Sequence, residues 1–289
     1  MSDRRRAPAV GHIAPRWGIL TLLVGACAAP EPEVMPSCER DGAELDEHDH
    51  ALGGEARWDA VWLADELHLD DVDDPGAAAI GIVDWPIPYD DERKRLTVEY
   101  LRYHAEDVQL TGDLDADVTM VPRVVVLHWT AGPTAKSAWH AFAPVRHSPT
   151  ADPERAVNLS TQFIVDRDGT IYRLFPEDLV GRHTIGLNHV AIGVENVGGG
   201  KRWPLTRAQE EANIALVRYL AGRHPITHVI GHHEYRGMEG HPYFREVDPD
   251  FRTFKCDPGV RFMEVVRDGL ADLDLEGAEA PAQAASCRG

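Results

Sequence analysis

Two short apolar runs constrain this chain more than anything else in it: V-V-V-L-H-W-T at 124–130 and V-I-G-H at 229–232. Each is a hydrophobic stretch of strand length, the pattern of a buried strand in a sheet covered on both faces. Each also delivers a histidine, His128 and His232, at its polar end. A third segment, K-C-D-P-G at 255–259, sets Asp257 in a tight Pro-Gly turn. A strand-terminal histidine among apolar neighbours is costly to bury unless it is used. Two neutral imidazoles and one carboxylate are the three protein ligands of a catalytic zinc, with the fourth position left for water. The three lie far apart in sequence, so only a folded domain can unite them. That points to a hydrolase site and away from a small zinc-finger module.

The chain ends carry different information. Arg4, Arg5, Arg6 and Arg16 precede the apolar stretch W-G-I-L-T-L-L-V-G-A at 17–26. This is shorter than the roughly 20 residues of a membrane-spanning helix, so residues 1–26 read as a targeting segment. The V-G-A-C that closes it resembles the lipobox of bacterial lipoproteins. The resemblance implies lipidation of Cys27 and, with Ala28 following, an outer-membrane anchor facing the periplasm. An ordinary secretory signal releasing a soluble protein is the alternative. The formal charge is −19, and residues 1–26 hold four Arg and one Asp, so the exported chain carries −22. Such a surface speaks against nucleic acid or anionic lipid as an electrostatic partner. Membrane contact is expected only through the lipid, and the protein is expected to be a monomer. Cys38 and Cys287 lie in polar flanks, and in an oxidising compartment they are candidates for pairing with each other.

Residues 27–55 are Pro-rich and acidic, a tether composition without core-forming side chains. Residues 56–120 read as a helical N-terminal extension, with helices expected near 56–70 and over Glu92–His104 and a Trp85-Pro86-Ile87-Pro88 linker between them. From Val121 the pattern becomes mixed. Strands are expected at Val124–Thr130, Leu159–Arg167, Thr170–Phe175, Val190–Val197 and Ile226–Gly231, with Asp168-Gly169 as a hairpin turn. Helices are expected at Thr134–Ala143, Thr206–Gly222 and Val260–Leu270. Thr206 with Gln209 three residues on makes the second of these the clearest. Residues 271–289 are Ala, Glu and Asp with little else, and read as a disordered tail. One α/β domain over 121–270, a central mixed sheet flanked by helices, is the expected fold.

Several motifs stand in a fixed order: H-W-T-A-G (128–132), Q-F-I-V-D-R-D-G-T-I-Y-R-L (162–174), I-G-V-E-N-V-G (192–198), L-T-R-A-Q (205–209), V-I-G-H-H-E (229–234) and K-C-D-P-G (255–259). Together they resemble zinc-dependent N-acetylmuramoyl-L-alanine amidases of the amidase-2 type, relatives of phage amidase lysozymes and animal peptidoglycan recognition proteins. The resemblance covers residues 121–268. It implies hydrolysis of the amide between N-acetylmuramic acid and L-alanine in peptidoglycan or its fragments, with one zinc ion per chain. A non-catalytic peptidoglycan-binding receptor is the alternative.

Carried over by position, the resemblance makes His128, His232 and Asp257 the zinc ligands. His233 is the rival of His232, and Cys256 is the rival of Asp257 because a thiolate also binds zinc. Glu195 matches the family's catalytic glutamate, suited to take a proton from water and pass it to the leaving amine. Lys255 is placed to aim an ammonium at the developing oxyanion. His183, Asn188 and Trp129 are the substrate-contact candidates. Two departures from the family pattern stand out. Gln162 occupies a position where relatives often carry histidine, and 234–254 is a long insertion between two ligands. A loop of that length is usually functional or mobile, and its aromatics suit either a wall of the substrate groove or packing on the domain surface.

Overall fold

The computed structural model describes residues 74–105, 118–149 and 151–278. The expected targeting segment, Cys27, the tether, the helix near 56–70 and most of the acidic tail lie outside the described residues. All that is described falls within one compact unit, Pro36–Gly289.

Six strands build one sheet: β1 (Ile82–Asp84), β2 (Val124–Trp129), β3 (Phe163–Val165), β4 (Ile171–Arg173), β5 (Ala191–Asn196) and β6 (His228–Gly231). Their spatial order is β1-β4-β3-β5-β2-β6. Only β3 and β4, joined through Asp168-Gly169, run antiparallel; every other pair is parallel. Gly169 turns with φ 92°, a conformation that favours glycine. The hairpin strands are shorter than expected because flanking residues bond elsewhere. The Ser160 N–H, for example, donates to the carbonyl of Arg182.

Among the described residues, five α-helices accompany the sheet: α1 (Pro75–Ala79), α2 (Asp91–His104), α3 (Ala135–Phe142), α4 (Arg207–Arg223) and α5 (Val260–Asp268). α4 starts where its sequence says it should: the Thr206 hydroxyl accepts the Gln209 N–H, and the Gln209 side chain accepts the Thr206 N–H. Such a reciprocal cap satisfies two donors that a helix end otherwise leaves open.

Strand alternation separates two cores. Val125, Leu127, Ile192, Val194 and Val229 point to one face and pack against Leu216, Val217 and Leu220 of α4 and Phe262, Met263 and Val266 of α5. Val124, Val126, Ala191 and Ile230 point to the other face, under Leu187, Tyr235 and Met238. His128 follows Val124 and Val126 in that alternation, so it belongs to the second face.

Two stretches extend the sheet beyond the expected domain. β1 lies in what the sequence reads as a helical extension, yet it pairs in parallel with β4. Residues 271–278, expected in the unstructured tail, form a short 3-10 turn at Ala271–Leu273 and pair with the start of β6: Val229 donates to the Glu276 carbonyl and Glu276 donates to that of Thr227. The unmet backbone groups of β6, an edge strand, find partners there.

A buried ionic network at Glu177 joins β4 to α4, and Arg173 carries it on to β1. Glu177, 5% exposed, accepts from Tyr219 and His224 (both 2.8 Å) and from Arg223 (3.2 Å). Arg173 of β4 reaches Asp84 of β1 at 2.6 Å. Burial alone would push the Glu177 carboxyl up, but donation from His224 and Tyr219 and the charge of Arg223 hold it below the ordinary glutamate value.

The insertion is packed. Tyr235 and Met238 are buried in the second core, and the Tyr235 hydroxyl bonds both backbone groups of Thr253. Phe244 lies over Gly186, Phe251 stacks on His104, and Glu246 pairs with His104 at 3.1 Å. Its aromatics therefore face inward, which favours the packing alternative over a wall of the groove.

Candidate metal centre

The end of β2 carries His128, and register aligns it with Glu195 of β5. The pairing of Leu127 with Gly231 brings the residue after β6, His232, alongside. The parallel ladder thus does the assembling, and the Asp257 turn, just before α5, closes the group. His128 Nδ1 lies 2.9 Å from His232 Nδ1 and 3.3 Å from Asp257 Oδ2, and His232 Nδ1 lies 3.0 Å from the same oxygen. Among the described residues this is the group of three such side chains that could hold a metal ion. Zinc bonds of 2.0–2.1 Å in tetrahedral array separate ligand atoms by about 3.3 Å, so the spacing suits such an ion with slight expansion.

The electrostatics agree with a cation site. Burial, and then the neighbouring His232, push His128 down to about 4, so its imidazole is neutral at physiological pH. Burial opposes ionisation of Asp257, but the charge of His232, its hydrogen bond and the close approach of His128 hold it well below the ordinary range. Neutral imidazole and ionised carboxylate are the states in which these groups bind metal.

Both rivals are resolved by where their atoms go. His233 turns away from the cluster: its backbone N–H and its Nδ1–H donate to the Asp257 carbonyl at 2.8 and 3.0 Å. It positions the ligand turn instead of binding in it. Cys256 is disulfide-bonded, so its sulfur is no thiolate and it drops out as a rival to Asp257. Cys27, Cys38 and Cys287 lie outside the described residues, so the proposed Cys38–Cys287 pair does too.

Glu195 stands beside His128 with its Oε2 sealed from solvent and without a hydrogen-bond partner. Burial, reinforced by the Asp257 charge and opposed by Lys255, pushes it up to about 8. Trp129 points to the opposite sheet face from His128 and is half-buried against Gly199. A Cβ at Gly199 would fall 2.3 Å from the indole, and its φ of 113° also favours glycine.

Asn188 and His183 are less available to a substrate than the sequence suggests. Asn188, 3% exposed, spends its amide internally: Oδ1 accepts the N–H of His183 and Thr184, and Nδ2 donates to the Tyr100 hydroxyl. His183 backs onto His128. Gln162 spans Leu179 and Gly193 with both ends of its amide, a wholly structural use. Sequence reading missed Glu234, which accepts the Gly231 N–H at 2.8 Å and is clamped by Arg267 of α5. The Gly-x-x-Glu spacing of a helix start was the available signal.

Residues 118–259 match the family model described as N-acetylmuramoyl-L-alanine amidase, Amidase_2. Among solved structures the chain is similar to the N-acetylmuramoyl-L-alanine amidase LysC from Clostridium intestinale URNW, at 24% identity over 68% of this chain and 98% of that one, with a TM-score of 0.40. Human PGRP-IBETAC, in complex with glycosamyl muramyl pentapeptide, is 16% identical over 65% of this chain and 94% of that one, with a TM-score of 0.39. Peptidoglycan recognition protein-LE, in complex with tracheal cytotoxin, is 17% identical over 48% and 92%, with a TM-score of 0.34. No curated protein matches the chain.

Proposed function

We propose that this protein is a zinc-dependent N-acetylmuramoyl-L-alanine amidase that cuts the bond between N-acetylmuramic acid and L-alanine in peptidoglycan or its fragments. The observation that carries the proposal is the convergence of three metal-binding atoms, from His128, His232 and Asp257, beside a buried carboxylate within a domain of this family. Zinc in such a site supplies Lewis-acid polarisation of the amide carbonyl and acidifies water.

The chain's own groups do the rest. Glu195 accepts a proton from the attacking water and passes it to the leaving amine, so that the amine departs neutral. Its elevated proton affinity suits the second half of that task, and a nearby divalent cation favours the ionised form needed for the first. The Lys255 ammonium, two residues before Asp257, stabilises charge developing on the carbonyl oxygen. Trp129, next after His128 on β2 and 4.0 Å from where a Cβ at Gly259 of the Asp257 turn would lie, is the substrate-contact candidate that the proposal retains. The export signal and Cys27 anchor read from the sequence would place this activity at the wall-facing side of a membrane.

The test is zinc titration into chelator-treated protein, with hydrolysis of a purified muropeptide followed throughout. Turnover that rises to saturation near one zinc per chain supports the proposal. Muropeptide binding without turnover at full zinc occupancy would instead make the protein a receptor.

A further inference from the structure

Resting on the metal-site reading above, we propose that Thr184 and His183 are positioning residues that lock His128 in the tautomer a metal ligand requires. His128 directs Nδ1 at His232 and Asp257, so that nitrogen must offer a lone pair and the ring proton must sit on Nε2. Nε2 lies 3.2 Å from His183 Nδ1 and 3.3 Å from Thr184 Oγ1. The rings of His128 and His183 meet edge to face, with centroids 5.2 Å apart.

The proton positions follow from the far end of the chain of contacts. His183 Nε2 lies 3.1 Å from the Ala191 carbonyl, which can only accept, so His183 carries its proton there. Its Nδ1 is then an acceptor. The Thr184 hydroxyl, 2.9 Å away, donates to that Nδ1 and keeps its own lone pairs for the His128 Nε2–H. Every donor has an acceptor. Moving the His128 proton to Nδ1 would leave two nitrogen lone pairs, on His128 Nε2 and His183 Nδ1, facing each other at 3.2 Å.

The pair is itself held in place. Asn188 Oδ1 accepts the N–H groups of His183 (2.9 Å) and Thr184 (2.8 Å), and its Nδ2 donates to the Tyr100 hydroxyl at 3.0 Å. Tyr100 is buried in α2, outside the stretch that matches the family model. The helix before the amidase-2 domain therefore reaches the metal ligand through three contacts, Tyr100 to Asn188, Asn188 to the His183 backbone, and His183 to His128.

Hydrogen-bond partners of metal-bound imidazoles typically contribute about 10–100-fold in affinity. His183→Leu and the near-isosteric Thr184→Val should each weaken zinc binding by roughly that factor in competition with a chromogenic chelator. His183→Asn, whose Oδ1 can stand in for the Nδ1 acceptor, should recover at least half of the loss on a logarithmic scale. Independently, long-range proton–nitrogen correlation spectra of the metal-free wild type should show His128 protonated at Nε2, and Tyr100→Phe should mix the two tautomers. Unchanged affinity in both folded variants, or a wild-type His128 protonated at Nδ1, overturns the proposal. A wild type that binds no zinc would overturn the amidase reading, while the tautomer in metal-free protein would still decide this one.

Discussion

Glu195→Gln separates what this residue does for catalysis from what it costs the fold. Glutamine keeps the size of the side chain and cannot accept a proton. General-base assistance is typically worth about 10²–10⁴-fold, so the variant should lose about 3–5 kcal/mol of barrier reduction at equal zinc content. The stability effect has the opposite sign. In the unfolded chain this carboxyl ionises with a pKa of 4.5, and in the folded, metal-free protein it is pushed up to about 8. Between those values the folded state holds more protons than the unfolded one, so wild-type stability falls as pH rises from 4.5 to 8. At pH 7 the difference amounts to roughly 3 kcal/mol, at 1.36 kcal/mol per unit. The glutamine amide, buried at a position where Oε2 has no partner, takes back about 1 kcal/mol. Chelator-treated Glu195→Gln should thus be about 2 kcal/mol more stable than wild type at pH 7, a rise in Tm of roughly 4–8 °C, and the gap should close at about pH 5. Calorimetry of the chelated proteins across pH and single-substrate kinetics of the zinc-loaded ones measure the two effects. Near-normal turnover by the variant, or a gap that widens toward low pH, would refute the reasoning.

The other substitutions probe the ligand set, the oxyanion and the frame. Asp257→Ala should abolish stoichiometric zinc in dialysed protein, as should His128→Ala and His232→Ala, because each removes one of three protein ligands. Cys256→Ser should keep the metal while losing about 2–4 kcal/mol of stability with its disulfide, seen as a lower melting temperature. Lys255→Ala should retain zinc and lose roughly 10²–10³-fold in kcat, by the measure of oxyanion-hole deletions. Glu177→Gln should destabilise the protein by roughly 2–3 kcal/mol at pH 7, since it weakens hydrogen bonds from charged and polar partners. The Glu177 carboxyl is held below 4.5 when folded, so its contribution is present above that pH and lost as pH falls through the folded value. Urea melts of wild type and variant should converge on the acid side.

Much of this was legible in the residues because the informative signals are local. The uniform apolar run at 124–127, short and mostly β-branched, reads as a strand covered on both faces, and its end fixes where His128 emerges. Thr206 and Gln209 announce α4 by a cap whose chemistry is written in four residues. What was not legible depends on partners distant in the chain. β1, at Ile82–Asp84, is three residues long and exists as a strand only because β4 offers it an edge. The order of residues 271–278 comes from pairing with β6, which composition does not reveal. Asn188 and His183 carry side chains able to meet a substrate, and only the positions of Tyr100, Thr184 and Ala191 show their hydrogen bonds already spent. His233 and His232 are equivalent by residue type; the carbonyl of Asp257 tells them apart.

The most direct measurement is digestion of a muropeptide of defined structure by the zinc-loaded wild type, read by mass spectrometry beside Asp257→Ala and a chelated control. The proposed activity predicts two products from the wild type alone, an intact sugar bearing free N-acetylmuramic acid and a stem peptide with a new amino terminus at L-alanine. Uncut muropeptide in the zinc-loaded wild type, or cleavage at any other bond, would contradict it.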